Sequence, residues 1–191
     1  MKDKRLIFIL VLMAGVLGTG SLHARAAMVD GTRFAQTFET PNERLYLKGT
    51  SLLRYLIFIK AYTGALYLPK GVDGSQALGD VPKRLELEYR VAISSDDFAE
   101  ATRAKIEESV DAALFDRLLP KINALNRLYK NVEPGDRYAL TYTPGQGTRL
   151  TYNGLALGTI DGSDFAKALF GIWIGANLID AAFRDDLLGS L

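Results

Sequence analysis

Side chains able to do chemistry are few in this chain. It has no cysteine and one histidine, His23, which falls in an N-terminal apolar segment. Beyond that segment no Ser–His–Asp triad, Cys–His dyad or nitrogen/sulfur zinc site can be built. The usual axial haem ligands are missing too, and Met28 is the last methionine. Carboxylates, lysines, tyrosines and arginines remain, and from them we assign no catalytic residue, no metal site and no cofactor. The stretch "GTSLLRYLIFIKAYTGALYLP" (Gly49–Pro69) stands out because it is strongly apolar yet carries Arg54 and Lys60. A buried cation without a partner is costly, so these two need an anion or water. Arg54 and Tyr62 together could clamp a carboxylate, the guanidinium as a planar fork of donors and the phenol as one more. Eight residues of straight strand would hold them about 26 Å apart, so the clamp requires the chain to bend between them. "RYLIFIKAY" offers no Gly, Pro, Asn or Asp for a turn, which leaves a bulge or a short hairpin. The alternative is that Arg54 pairs with a carboxylate of the fold while Tyr62 packs. Lys60 shares the parity of both and is expected to snorkel along the sheet edge. Lys105 is a candidate anion contact at a cleft mouth, or else part of a solvated helix face.

The elements that must position these residues follow from periodicity. "GTRFAQTFE" and "ERLYLKG" read as strands, and the Gly49–Pro69 stretch as one long strand or a strand pair. "RLELEYRVAI" (residues 84–93) alternates cleanly: Leu85, Leu87, Tyr89, Val91 and Ile93 on one face, Glu86, Glu88 and Arg90 on the other. The period then lengthens. Ser94 or Ser95 caps a helix with Asp96 and Asp97 in its first turn, and Phe98, Thr102, Ile106 and Val110 run along one side. A second helical segment, with Leu114, Leu118, Ile122, Leu125 and Leu128 inward, should end or kink at Pro120. "RYALTYTP", "TRLTYNG" and "LALGTI" make three further strands, with Tyr138, Tyr142 and Tyr152 as cross-strand pairs. "TPGQGT" joins two strands and opens no helix, so it is a turn and not a phosphate loop. A final helix has Asp161 or Ser163 as its cap and places Phe165, Leu169 and Trp173 in the core. A short one follows and stops at Gly189. Runs of strands and then of helices give an α+β class: an open-faced sandwich with a large antiparallel sheet and helices on one face.

The first residues read as a leader. Lys2, Lys4 and Arg5 precede the apolar run Leu6–Leu17, and "ARAA" supplies an A-x-A site, placing cleavage after Ala26. Residues 1–26 are thus a signal peptide, 27–191 a single domain, and the destination periplasmic. No integral membrane segment is expected after cleavage. The remaining chain carries 19 basic and 21 acidic residues, a net charge of −2. That leaves no electrostatic case for nucleic acid and no basic cluster for anionic lipid.

Three stretches in order carry a resemblance: "YLKGTSLLRYLIFIKAYTGALYLP", "PGDRYALTYTPGQGTRLTYNGLALGTI", and "DFAKALFGIWIG" followed by "LLG". Together they resemble the bacterial exported branch of the chalcone isomerase-like family, over nearly all of Gly31 to Gly189. The resemblance implies a sheet, a helix layer and an apolar cleft between them. The family includes isomerases that close a chalcone by intramolecular addition, and non-catalytic members, some of which bind fatty acids. Of the isomerase roles, the Arg falls on Arg54 and the strand Thr on Tyr62, where fatty-acid-binding members also have Tyr. The Tyr near the first helix falls on Phe98, the Asn on Lys105, and the last-helix polar residue near Ile172. Phe98 and Ile172 lack the hydrogen-bonding groups that would position an isomerase substrate. The expectation is therefore a non-catalytic protein that binds a small amphipathic or carboxylate ligand, such as a fatty acid, through Arg54, Tyr62 and Lys105. An intramolecular lyase and an envelope scaffold are the alternatives, with any protein partner unknown.

Overall fold

A computed structural model describes residues 26–55, 59–177 and 179–189. Apart from Ala26, the expected leader with His23 lies outside the described residues. Seven strands form one sheet: β3 (Thr37–Glu39), β4 (Arg44–Tyr55), β5 (Ile59–Pro69), β6 (Lys83–Tyr89), β7 (Arg137–Thr143), β8 (Gly147–Tyr152) and β9 (Leu155–Ile160). Each is antiparallel to its neighbour in sequence, so the strand order is the chain order. β1 (Ala26–Val29) and β2 (Thr32–Ala35) form a separate hairpin. Helices α1 (Ser95–Ser109) and α2 (Ala112–Asn126) follow β6, and α3 (Ser163–Ile174) and α4 (Ala181–Leu188) follow β9. The expected α+β open-faced sandwich is the architecture observed.

β5 explains the long apolar run. Tyr62, Leu66 and Leu68 pack under the helices, while Ala65 and Tyr67 pack with Phe34 and Leu45 on the opposite face. A strand covered on both sides needs apolar residues at both parities. The strand boundary differs from expectation. β4 runs unbroken through "ERLYLKG" and on to Tyr55, with a register shift between Leu47 and Gly49. Gly49 is there because α4 crosses it: a Cβ would sit 2.1 Å from the Asp186 carbonyl oxygen. Ser51 fixes the same crossing by donating to Asp186 Oδ2 at 2.8 Å.

α1 starts at an N-cap Ser94 with a capping box to Asp97, and buries Thr102 and Ile106. α2 does not end at Pro120, which lies inside it. Pro120 is on the exposed side, so the carbonyl it leaves unpaired can bond water. The buried side of α2 also includes Phe115, which the leucine pattern misses. Gly162, and neither Asp161 nor Ser163, precedes α3, without a side-chain cap. α4 ends at Gly189, whose φ of 64° is the left-handed stop expected there. Tyr138 and Tyr152 are cross-strand partners, as predicted.

Candidate functional site

The alternation of β6 continues across the sheet, so Leu85, Leu87 and Tyr89 share a face with Tyr138 and Leu140 of β7 and Leu150 of β8. Helices α1 and α3 lie over that face without filling it. A cavity of about 250 Å³ remains. Phe98, Ala101, Thr102 and Lys105 of α1 line it, with Ile172 and Trp173 of α3. Tyr62, Ile93, Asp97, Tyr129 and Ile179 complete the wall.

The wall is mostly apolar, and its polarity is concentrated in phenols. Tyr62 and Tyr89 stand edge to face with ring centroids 5.5 Å apart, and Tyr89 and Tyr138 are 6.1 Å apart. Tyr129 shares a hydrogen bond with Thr102 Oγ1 at 2.9 Å. Tyr138 accepts from the Lys130 amide and donates to the Lys130 carbonyl, so its capacity is spent. Tyr62 accepts from Trp173 Nε1 at 3.1 Å. Among the described residues nothing accepts the Tyr62 proton, and nothing bonds the Tyr89 hydroxyl. Burial pushes the phenols of Tyr62, Tyr89 and Tyr129 above the usual tyrosine range. They are therefore neutral donors at any physiological pH.

The charged groups on the lining are Asp97 and Lys105. Asp97 accepts from the Ser94 hydroxyl at 2.7 Å and the Ser94 amide at 3.3 Å, so it is occupied in capping α1. Lys105 Nζ lies 2.8 Å from Glu108 Oε2, an exposed i,i+3 pair of little strength.

The three residues singled out from sequence part company here. Tyr62 and Lys105 both line the cavity; Arg54 does not. The chain does bend between Arg54 and Tyr62, because β4 and β5 are a hairpin. However, Leu53 pairs with Tyr62 and Arg54 with Lys60, so Ala61 is an extra residue. Leu53 packs with Tyr62 in the core beneath the helices, and Arg54 points to solvent. Its field acts on Asp30, in the turn between β1 and β2, whose carboxyl is held below the usual range by Lys60, Arg90 and Arg54. Lys60 is no snorkelling lysine: it pairs with Asp30 Oδ1 at 2.5 Å. A shared clamp of Arg54 and Tyr62 is thus replaced by a cluster of three cations around Asp30.

Trp173, expected simply in the core, is half-buried and serves as a wall of the cavity. Tyr89 and Tyr129 were not singled out from sequence. Their rings lie 5.2 and 5.4 Å from that of Phe98, supplying hydroxyls close to a position that has none.

Over residues 26–189 the sequence matches the family model described as chalcone isomerase-like. The chain belongs to that family. Among solved structures, the fold is similar to that of an Arabidopsis thaliana fatty-acid binding protein, with a TM-score of 0.67 and 15% sequence identity. The match covers 86% of this chain and 96% of the plant chain. No curated protein matches the sequence. The resemblance read from the three motifs therefore holds for the family and the fold.

Proposed function

We propose that this family member is a non-catalytic binding protein for a small amphipathic acid, exported to the periplasm. The observation that carries the reading is an unfilled apolar cavity with unspent donors on its wall: the Tyr62 and Tyr89 hydroxyls inside and the Lys105 ammonium at its edge. An ionised carboxylate is acceptor-only, and donors converging on an apolar pocket suit it. The hydrogen bond from Trp173 to the Tyr62 oxygen polarises the phenol and strengthens it as a donor. A cavity of about 250 Å³ is of the size that takes a small amphipathic molecule. The plant protein of similar fold binds fatty acid by its description, which supports the same ligand class here.

An envelope scaffold would fill its cleft with its own side chains, and this cleft is open. An isomerase has one observation in its favour, the hydroxyls of Tyr89 and Tyr129 beside Phe98. Closing a phenol onto an enone needs a base near neutrality to take the phenol proton. Burial holds the lining tyrosines above the usual range, and Phe98 and Ile172 carry no hydroxyl to position such a substrate. The test is to titrate residues 26–191 with decanoate and to assay the same protein for flavanone formation. Saturable binding without acceleration over the spontaneous reaction is expected. Acceleration lost in Tyr89→Phe would instead establish the isomerase.

A further inference from the structure

The two edges of the seven-stranded sheet are unlike. β3, at one edge, is three residues long, carries Glu39 paired with Arg44, and is followed closely by Pro41. Short strands, charges and proline are the devices that keep a sheet edge from adding another strand. β9, at the other edge, is six residues long, and "LALGTI" holds no charge and no proline. Among the described residues β8 is its sole strand partner. Leu155, at its start, is 72% exposed, more than any other large apolar residue described.

The register fixes which backbone groups of β9 are free. The Asn153 amide donates to the Arg137 carbonyl, so odd-numbered residues of β8 turn their backbone groups to β7 and even-numbered ones turn theirs to β9. The even-numbered Tyr152, Leu150 and Thr148 face Leu155, Gly158 and Ile160. Ala156 and Thr159 face the odd-numbered Thr151 and Arg149, so their N–H and C=O groups point away from the sheet. Both residues are exposed. Leu157 is the extra residue of a bulge. A bulge can itself blunt an edge, but this one leaves an outward residue on either side of it. Leu155, opposite Tyr152, lies on the helix side of the sheet with Ile160, and Ala156 and Thr159 lie on the other side.

The strand is therefore its own complement. Turned antiparallel about a two-fold axis between Leu157 and Gly158, Ala156 of one copy comes opposite Thr159 of the other, outward groups against outward groups. The same rotation sets Leu155 opposite Ile160, so the faces match as well. No charged side chain stands in this seam. The nearest charges are Asp161 after Ile160, Arg149 opposite Thr159, and Arg127 and Lys130 flanking Leu128, which packs on Gly158. The two Arg149 residues would stand about 18 Å apart across two paired β9 strands, beyond a screening length of about 8 Å.

We infer that β9 pairs antiparallel with β9 of a second copy of this chain, Ala156 opposite Thr159, so that the two sheets continue into one. A second copy is favoured over an extended segment of another protein because it brings a charge-free strand whose outward groups recur at the same spacing. No β9 residue lines the cavity, so the pairing stands or falls separately from the proposed function.

The chain has no cysteine, so a disulfide can report the register. Ala156→Cys and Thr159→Cys are made separately in residues 26–191, which hold every described element. Residues directly opposite in the pairing have Cα atoms about 5.5 Å apart, within disulfide reach. Like positions are three residues out of step, about 10 Å along the strand, and out of reach. Under mild oxidation the mixture of the two variants should give covalent dimer about tenfold faster than either variant alone. Sedimentation velocity of the unsubstituted protein should show monomer and dimer in equilibrium below about 200 μM, a weak association in keeping with a small seam. Thr159→Pro removes an outward amide and no bond to β8, and should weaken association about tenfold. Ala156→Lys, a charge at an exposed position, should weaken it about fivefold. Thermal melts identify a variant that fails to fold, and decanoate binding by both should be unchanged. A protein that stays monomeric at 200 μM, a dimer indifferent to both substitutions, or equal crosslinking in the mixture and in each variant alone would each overturn the proposal.

Discussion

β6 shows one strand serving two opposite purposes. Toward the helices it presents Leu85, Leu87 and Tyr89, and the space above them is left open. Toward the β1–β2 hairpin it presents Arg84, Glu86 and Glu88, and there each charge meets an opposite one. Arg137 reaches Glu86 at 2.7 Å and Glu88 at 2.5 Å, Arg84 reaches Glu86 at 3.0 Å, and Thr32 donates to Glu88 at 2.7 Å. One face has unspent donors and room for a guest. The other is occupied by a network of ion pairs. Charge density therefore does not locate a binding site here; unspent capacity beside an unfilled volume does. Arg54, the most suggestive cation in the sequence, folds away from the cavity, and Tyr89, inconspicuous in sequence, belongs to it.

Breaking the networked face should have the largest effect. Glu88→Ala leaves Arg137 and Arg90 short of a partner, and should cost about 3 kcal/mol in urea unfolding. That is at the low end for a broken buried pair, because the Arg137 side chain keeps 31% of its surface in water. Decanoate affinity of the folded fraction should not change. If affinity falls with stability, the two faces are not independent. Removing the hydroxyl from the cavity face has the reverse signature. Tyr89→Phe should weaken decanoate binding about tenfold, near 1.4 kcal/mol. It should leave stability nearly unchanged, because no described group bonds that hydroxyl. A loss of stability without a loss of affinity would make Tyr89 purely structural.

The pH dependence sharpens the contrast further. The phenols of Tyr62, Tyr89 and Tyr129 are raised by burial, so the folded state holds their protons more tightly than the unfolded one. Their contribution to stability is complete below the unfolded value of about 10 and is lost as pH rises above it. Tyrosinate absorbance should therefore lag behind that of urea-unfolded protein and then rise together with alkaline unfolding. Early titration of these phenols in folded protein would mean that the cavity is open to bulk water. The smallest effect is expected from Arg54→Ala, which should change decanoate affinity by less than about twofold, since Arg54 is exposed and outside the cavity.

Much of the architecture was legible in the sequence because local signals agreed. The alternation of residues 84–89, the capping box at Ser94 and the left-handed stop at Gly189 each specify an element by themselves. β4 was harder to read, since Gly49 looks like an interruption unless α4 is known to cross it. The site was less legible still. Whether Arg54 faces the cavity depends on a single extra residue, Ala61, between two registers, and a slip of one residue reverses every side chain. No composition or period announces that slip. Tyr89 and Tyr129 carry a clear signal as inward aromatic residues, but only their neighbours reveal which hydroxyls are spent.

Trp173 offers the most direct test of the central claim. It is the sole tryptophan in the chain, it lines the cavity, and its Nε1 donates to Tyr62. Decanoate titrated into residues 26–191 should shift its emission saturably. Ala101→Phe, which projects a ring into the cavity from an exposed helix position, should abolish the shift while the protein stays folded. A folded wild-type protein whose Trp173 emission does not respond to decanoate, or responds equally in Ala101→Phe, would contradict a ligand in this cavity.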